Sequence, residues 1–217
     1  MSAIKIIECP RDAMQGLESF VPTELKIAYI NFLLKCGFDT LDFGSFVSPK
    51  AIPQMQDTAE VLAQLDLSQT KSKLLAIIAN TQGAETACNF PEIQYLGFPF
   101  SISETFQQRN TNSSIEESLN RVEEIQNLCI KNKKELVVYI SMGFGNPYGD
   151  VYNEEIVFNW VDKLVAMDIK TISLADTVGI ATPTQVQMVI KQLIQTLPQI
   201  QIGVHLHSTT TNWKVKV

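Results

Sequence analysis

Short apolar runs alternate with amphipathic stretches along the chain. Seven of the runs read as strands, near Ile4–Cys9, Thr40–Gly44, Leu74–Ala79, Ile93–Phe98, Leu136–Ser141, Thr171–Leu174 and Ile202–Leu206. The stretches between them carry helix signals. Pro22-Thr23 opens an amphipathic segment expected to end at Gly37, a C′ glycine. Ser113 and Ser114 stand three residues before Glu116 and Glu117, the spacing of a capping box. Asn153 precedes Glu154-Glu155, and Thr182-Pro183 has the form of an N-cap followed by proline.

Strand runs that each lead into a helical segment imply a parallel sheet. From Ile4 to Ile202 the strand starts repeat every 33 residues or so, close to the ~31 residues per unit of a (β/α)8 barrel. A doubly wound open sheet fits the alternation too, but it is disfavoured because CPRDAMQG, not a GxGxxG turn, follows the first strand. The expected fold is therefore α/β: one (β/α)8 TIM barrel domain over residues 1–217. About seven strands are present. Helix seven, strand eight and helix eight have no room after Leu206, so the barrel is expected to be incomplete at its C-terminus or open. Residues 212–217 (NWKVKV) read as a helix just starting.

Composition narrows the class. Hydrophobic residues make up 45% and charged residues 18% of the 217 positions. The charged share is below the average of about 25%, which suits a sizeable core. The net charge of −6 argues against a nucleic-acid binder, which needs a basic face. Apolar runs such as Leu74–Ala79 are far shorter than the ~20 residues of a membrane span. The opening MSAIKIIECP lacks the form of a secretory signal, so a cytoplasmic location is expected. Cys9, Cys36, Cys88 and Cys129 form no CxxC pair and are expected to be reduced and mostly buried.

The chemistry concentrates at predicted strand ends. His205 and His207 are the two histidines of the chain, and i, i+2 positions of a strand share a face. At the C-terminal end of strand seven they would face a barrel's active site and make half of a divalent-metal site; a pair of hydrogen-bonded histidines is the alternative. Arg11-Asp12 follows the first strand. Asp12 offers a carboxylate to the same metal, and Arg11 offers a planar fork to an oxyanion or carboxylate, unless they are a turn aspartate and a surface arginine. Asp42, Ser141 and Asp176 lie at the ends of strands two, five and six. They fit a general base, a substrate anchor or support for the ligands, and equally fit capping of βα loops. Gly143, Gly145 and Gly149 suit either close backbone approach to a ligand or turns. Gln107–Asn110 and Asn112 are expected in a polar loop, binding a polar substrate or solvated. No cysteine is paired with a histidine in a nucleophilic arrangement, and only Cys9 is near the candidate site.

CPRDAMQG, SFVSPKAIPQM, SISETFQQRNTNSSIEES, SLADTVGIATPT and VHLH resemble, in this order, segments of the 3-hydroxy-3-methylglutaryl-CoA lyase family. SFVSPK with PQM, and NTNSSIEES, are specific to that branch. Arg11-Asp12 and the HxH pair are shared with the wider DRE-TIM metallolyases, which include Claisen-type condensing synthases. The resemblance implies a (β/α)8 barrel that binds Mg²⁺ or Mn²⁺ and cleaves an acyl-CoA thioester to acetyl-CoA and acetoacetate. It implies Asp12, His205 and His207 as metal ligands and Arg11 as the group that stabilises the enolate. Asp42 and Asp176 become catalytic candidates, and Arg11, Gln15 and Ser141 substrate contacts; a homodimer is an open expectation. The chain departs from the family at Asp42, where a glutamate is usual, at DAMQ in place of DGLQ, and at Ser208 in place of an aspartate after HxH. The family's asparagine ligand on strand eight and its glycine-rich cysteine loop have no counterpart, so weak cleavage by this chain alone is expected. A condensing synthase and a non-catalytic barrel fragment are the alternatives.

Overall fold

Proline ends the first strand early. In the computed structural model, which describes residues 4–216, β1 covers only Ile7–Glu8, because Pro10 opens helix α1 (Pro10–Gln15) and Cys9 is its N-cap. The longer strand expected from Ile4 is not formed: Ile4 and Ile6 are 93% and 61% exposed, although Ile6 still accepts a backbone hydrogen bond from Asp39. Then come α2 (Thr23–Leu33), β2 (Thr40–Ser45), a 3-10 turn (Pro53–Met55), α3 (Thr58–Leu62), β3 (Lys73–Ile77), α4 (Thr81–Cys88) and β4 (Ile93–Ser101). α5 (Glu104–Thr111), α6 (Ile115–Lys131), β5 (Glu135–Ser141), α7 (Glu154–Ala166), β6 (Thr171–Asp176), α8 (Pro183–Thr196), β7 (Gln201–Leu206) and α9 (Trp213–Lys216) complete the order. The helix start expected over 212–217 is α9; Val217 lies outside the described residues.

All seven expected strands are present, and their order in the sheet is their order in sequence. The pairings β1–β2, β2–β3, β3–β4, β5–β6 and β6–β7 are parallel. Sequential parallel strands with helical crossovers are the topology of a (β/α)8 barrel, here with seven strands.

The chain divides into two compact units, Met1–Gly97 with Leu128–Glu135, and Phe98–Asn127 with Leu136–Val217. In the first, β2 is buried along its whole length, including the polar Asp42. Leu41, Phe43, Leu74, Leu75 and Leu96 form its core, as expected of strands covered on both faces. The expected helix end at Gly37 falls earlier. α2 stops at Leu33, and a turn leads to Gly37 at φ +83°, where a side chain would be strained.

In the second unit, α7 buries Val157, Val161 and Leu164, a 4-then-3 spacing that puts all three on one face. Local caps form as the sequence signals. Ser114 Oγ accepts from Glu117 N at 3.1 Å, and Glu117 Oε2 accepts from Ser114 N at 2.7 Å, a complete capping box. Asn153 Oδ1 accepts from Ile156 N at 2.9 Å, and Thr182 Oγ1 from Gln185 N at 3.2 Å. The polar loop expected over Gln107–Asn112 is instead helix α5 with Asn112 as its left-handed C-cap. Gln107 is buried, and its Oε1 accepts from Ser101 N at 2.9 Å. No helix among the described residues is long and apolar enough to cross a membrane.

Candidate active site

In the first unit Asp12, Gln15 and Asp42 converge on Arg11, and Asp42 lies within β2 (Thr40–Ser45), not at the strand end expected from the sequence. The position of Arg11 in the first turn of α1 points it at β2, where Asp42 is 1% exposed. Arg11 Nε donates to both Asp42 oxygens at 3.1 and 3.2 Å, and Nη2 donates to Oδ2 at 2.5 Å. Nη1 donates to Asp12 Oδ1 at 3.1 Å and to Gln15 Oε1 at 2.8 Å. Arg11 is thus no surface arginine. Burial opposes its charge, but the charge and hydrogen bonds of Asp42, with the Asp12 carboxylate added, together hold its pKa above the usual value. Four of its five N–H groups are engaged; the remaining one, on Nη2, has no partner among the described residues.

Cys9 lies beside this cluster. Burial, then the Asp42 carboxylate, push its thiol up to about 12, against a partial offset from Arg11. At neutral pH it is a thiol, not a nucleophilic thiolate. The expectation of mostly buried cysteines is corrected. All four are free, but only Cys129 is buried; Cys9 and Cys88 are half-buried and Cys36 is exposed.

In the second unit the histidines meet as the i, i+2 spacing predicts, although His207 lies one residue past the end of β7. Their ring centroids are 5.1 Å apart with planes at 76°. The His205 ring also meets the Tyr139 ring edge-on at 6.3 Å. His207 Nδ1 lies 2.9 Å from the Thr177 carbonyl oxygen. A carbonyl only accepts, so Nδ1 carries a proton, and in the ring's metal-binding form the lone pair is on Nε2. A backbone carbonyl that fixes the tautomer in this way is the usual support of a metal-binding imidazole.

Asp176, at the end of β6, is 1% exposed. Its Oδ1 accepts from Ala181 N at 3.0 Å, closing the loop after β6, and its Oδ2 accepts from Lys216 Nζ at 2.7 Å. Lys216 is absent from the sequence-derived candidates. A lysine in the alternating WKVK stretch carries no motif that marks it. Ser141 is buried at the end of β5, and its carbonyl accepts from Ile102 N at 3.3 Å. The glycine-rich loop that follows is pinned by its own contacts. Tyr152 Oη donates to Gly143 O at 3.0 Å, Asn146 Nδ2 donates to Asp150 O at 3.0 Å, and Gly145 and Gly149 take positive φ. These two glycines serve turns.

The HMGL-like family profile matches residues 3–212. The rat protein named 3-hydroxy-3-methylglutaryl-CoA lyase, cytoplasmic, is 32% identical over 209 residues, which cover 95% of this chain and 60% of the rat protein. The chain therefore spans about three fifths of that relative's length. Among solved structures, the HMG-CoA lyase of Bacillus subtilis superposes with a TM-score of 0.91 at 31% identity, covering 98% of this chain and 71% of that one. An HMG-CoA lyase from Acinetobacter baumannii, in complex with coenzyme A and 3-methylmalate, gives 0.90 at 30% identity, covering 100% of this chain and 72% of that one.

Proposed function

Because the chain belongs to the HMGL-like family, we propose that it serves a metal-dependent carbon–carbon lyase reaction on an acyl-CoA thioester, the cleavage of 3-hydroxy-3-methylglutaryl-CoA to acetyl-CoA and acetoacetate. The ligands are Asp12, His205 and His207, a group offering one carboxylate oxygen and two imidazole nitrogens. The resemblance implies Mn²⁺ or Mg²⁺ as the ion, and three protein ligands leave positions for water and substrate. The observation that carries the reading is the histidine pair itself, with the His207 tautomer set by Thr177 so that Nε2 keeps its lone pair. When bound, the ion supplies Lewis acidity to substrate oxygens.

Arg11 contributes the other charge. Cleavage leaves the electrons of the broken bond on the thioester as an enolate, and the fifth N–H of Arg11 is a cationic donor for that oxygen. Asp42 and Gln15 hold the guanidinium in place for this task. Asp176 supports the loop after β6, and Ser141 serves as a substrate contact at the end of β5.

The test is Mn²⁺ titration, read by loss of the free-ion EPR signal, with acetoacetate release measured in parallel. We expect one Mn²⁺ per chain, at least tenfold weaker binding in His205→Ala, and acetoacetate release that requires both the metal and His205. Equal Mn²⁺ binding by the two proteins, or release indifferent to both, would overturn the reading.

A further inference from the structure

Lys216 is a buried cation that the reaction outlined above does not use. Its side chain is 3% exposed, and its ammonium has three N–H groups to place. It places all three: on Asp176 Oδ2 at 2.7 Å, on the Gly179 carbonyl at 2.9 Å and on the His207 carbonyl at 2.9 Å. The first acceptor is the last residue of β6, the second belongs to the loop after it, and the third is the backbone of a proposed metal ligand.

The same loop grips His207 elsewhere. Thr177 O accepts a hydrogen bond from Nδ1, and Gly179, at φ +73°, lies alongside, where an added Cβ would be in ordinary van der Waals contact with His207 O at 3.6 Å. Asp176 Oδ1 holds the far side of the loop through Ala181 N. Contacts to the ring alone would leave the residue free to translate, and contacts to the backbone alone would leave the ring free to rotate. Here Thr177 fixes the ring while Lys216 fixes the carbonyl, and Asp176 ties both to one loop. We infer that Lys216 is a positioning residue that staples the end of β7 to the loop after β6 and so aims the His207 imidazole. The inference rests on the reading of His207 as a metal ligand.

The consequence for Asp176 is specific. A buried carboxylate shared between an ammonium and a backbone N–H is an anchor for the staple, so the resemblance's active-site aspartate acts here through Lys216 and the loop.

The experiment compares wild type, Lys216→Met and Lys216→Arg by hydrogen–deuterium exchange without metal and by Mn²⁺ titration. Methionine keeps the length and removes the charge. Arginine keeps the charge beside Asp176, but its planar fork does not meet three convergent acceptors. It decides the question should the methionine variant fail to fold. We expect exchange at least tenfold faster over 176–181 and 205–209, unchanged exchange over β2 and β3, and Mn²⁺ affinity reduced about tenfold. Wild-type exchange in those segments overturns the staple. Faster exchange with Mn²⁺ affinity unchanged makes Lys216 structural only and overturns its positioning role. Failure of the wild type to bind Mn²⁺ refutes the metal reading itself, a result distinct from either.

Discussion

Replacing Arg11 with methionine removes a cationic partner from a carboxylate that is 1% exposed. Asp42 loses every hydrogen bond that Arg11 gives it: two contacts from Nε and one from Nη2. Hydrogen bonds to charged groups contribute about 1.5–3 kcal/mol each, and leaving one member of a buried ion pair behind costs about 3–5 kcal/mol. A domain of this kind is stable by about 5–15 kcal/mol, so the change consumes much of the reserve. With a urea slope of about 2 kcal/mol/M, the unfolding midpoint should fall by about 1.5–2.5 M. The reverse change, Asp42→Val, should cost less, because Arg11 keeps Asp12 Oδ1 and Gln15 Oε1 as acceptors. The double variant Arg11→Met/Asp42→Val removes both charges and should recover at least about 2 kcal/mol relative to the sum of the singles. Urea unfolding followed by circular dichroism supplies all four values. An Arg11→Met cost below about 1 kcal/mol, or strict additivity, would show that the cluster is not the buried, mutually dependent pair described here.

Two further outcomes follow from local geometry. Gly83 lies within α4, where alanine ordinarily adds about 1 kcal/mol of helix stability, but its added Cβ would come 2.6 Å from the Phe46 carbonyl oxygen. Since that obstacle is backbone, the overpacking cost of about 1–3 kcal/mol should outweigh the helix gain, and Gly83→Ala should lower the melting temperature. Asp150 accepts from the Ser103 and Thr105 hydroxyls and from Thr105 N, and these bonds hold its pKa below the usual 3.8. A depressed folded-state value means that its stabilisation is complete above the ordinary carboxylate range and lost as pH falls through the folded value. Thermal melts of wild type and Asp150→Asn should therefore differ at pH 7, with the difference shrinking as pH falls below the ordinary carboxylate value of 3.8.

What the sequence made legible depended on the range of the interaction. Seven apolar runs marked seven strands, and three i, i+3 caps formed as signalled, because both need only neighbouring residues. The His205–His207 pairing belongs to the same class, since a strand's period of two puts both rings on one side. Errors arose where a local signal met a competing one. Apolar Ile4 and Ile6 suggested strand, but Pro10 recruits Cys9 as a helix cap and β1 contracts to Ile7–Glu8. The fourth strand was expected over Ile93–Phe98, yet β4 continues through Pro99 to Ser101, whose N–H turns to the Gln107 side chain. The charge pairs were illegible in a stronger sense. Arg11 and Asp42 are 31 residues apart, and Asp176 and Lys216 are 40 apart. No spacing rule connects them, because only the sheet register and the loop path bring them together. Those two pairs also differ in kind. Arg11, Asp42 and Asp176 drew notice at predicted strand ends and again in motifs shared with known lyases, whereas Lys216 lies in a stretch that matches none of those motifs. Motifs therefore mark Arg11, Asp42 and Asp176 one at a time, while which charge pairs with which, and that Lys216 takes part at all, answers to packing and comes to light only in three dimensions.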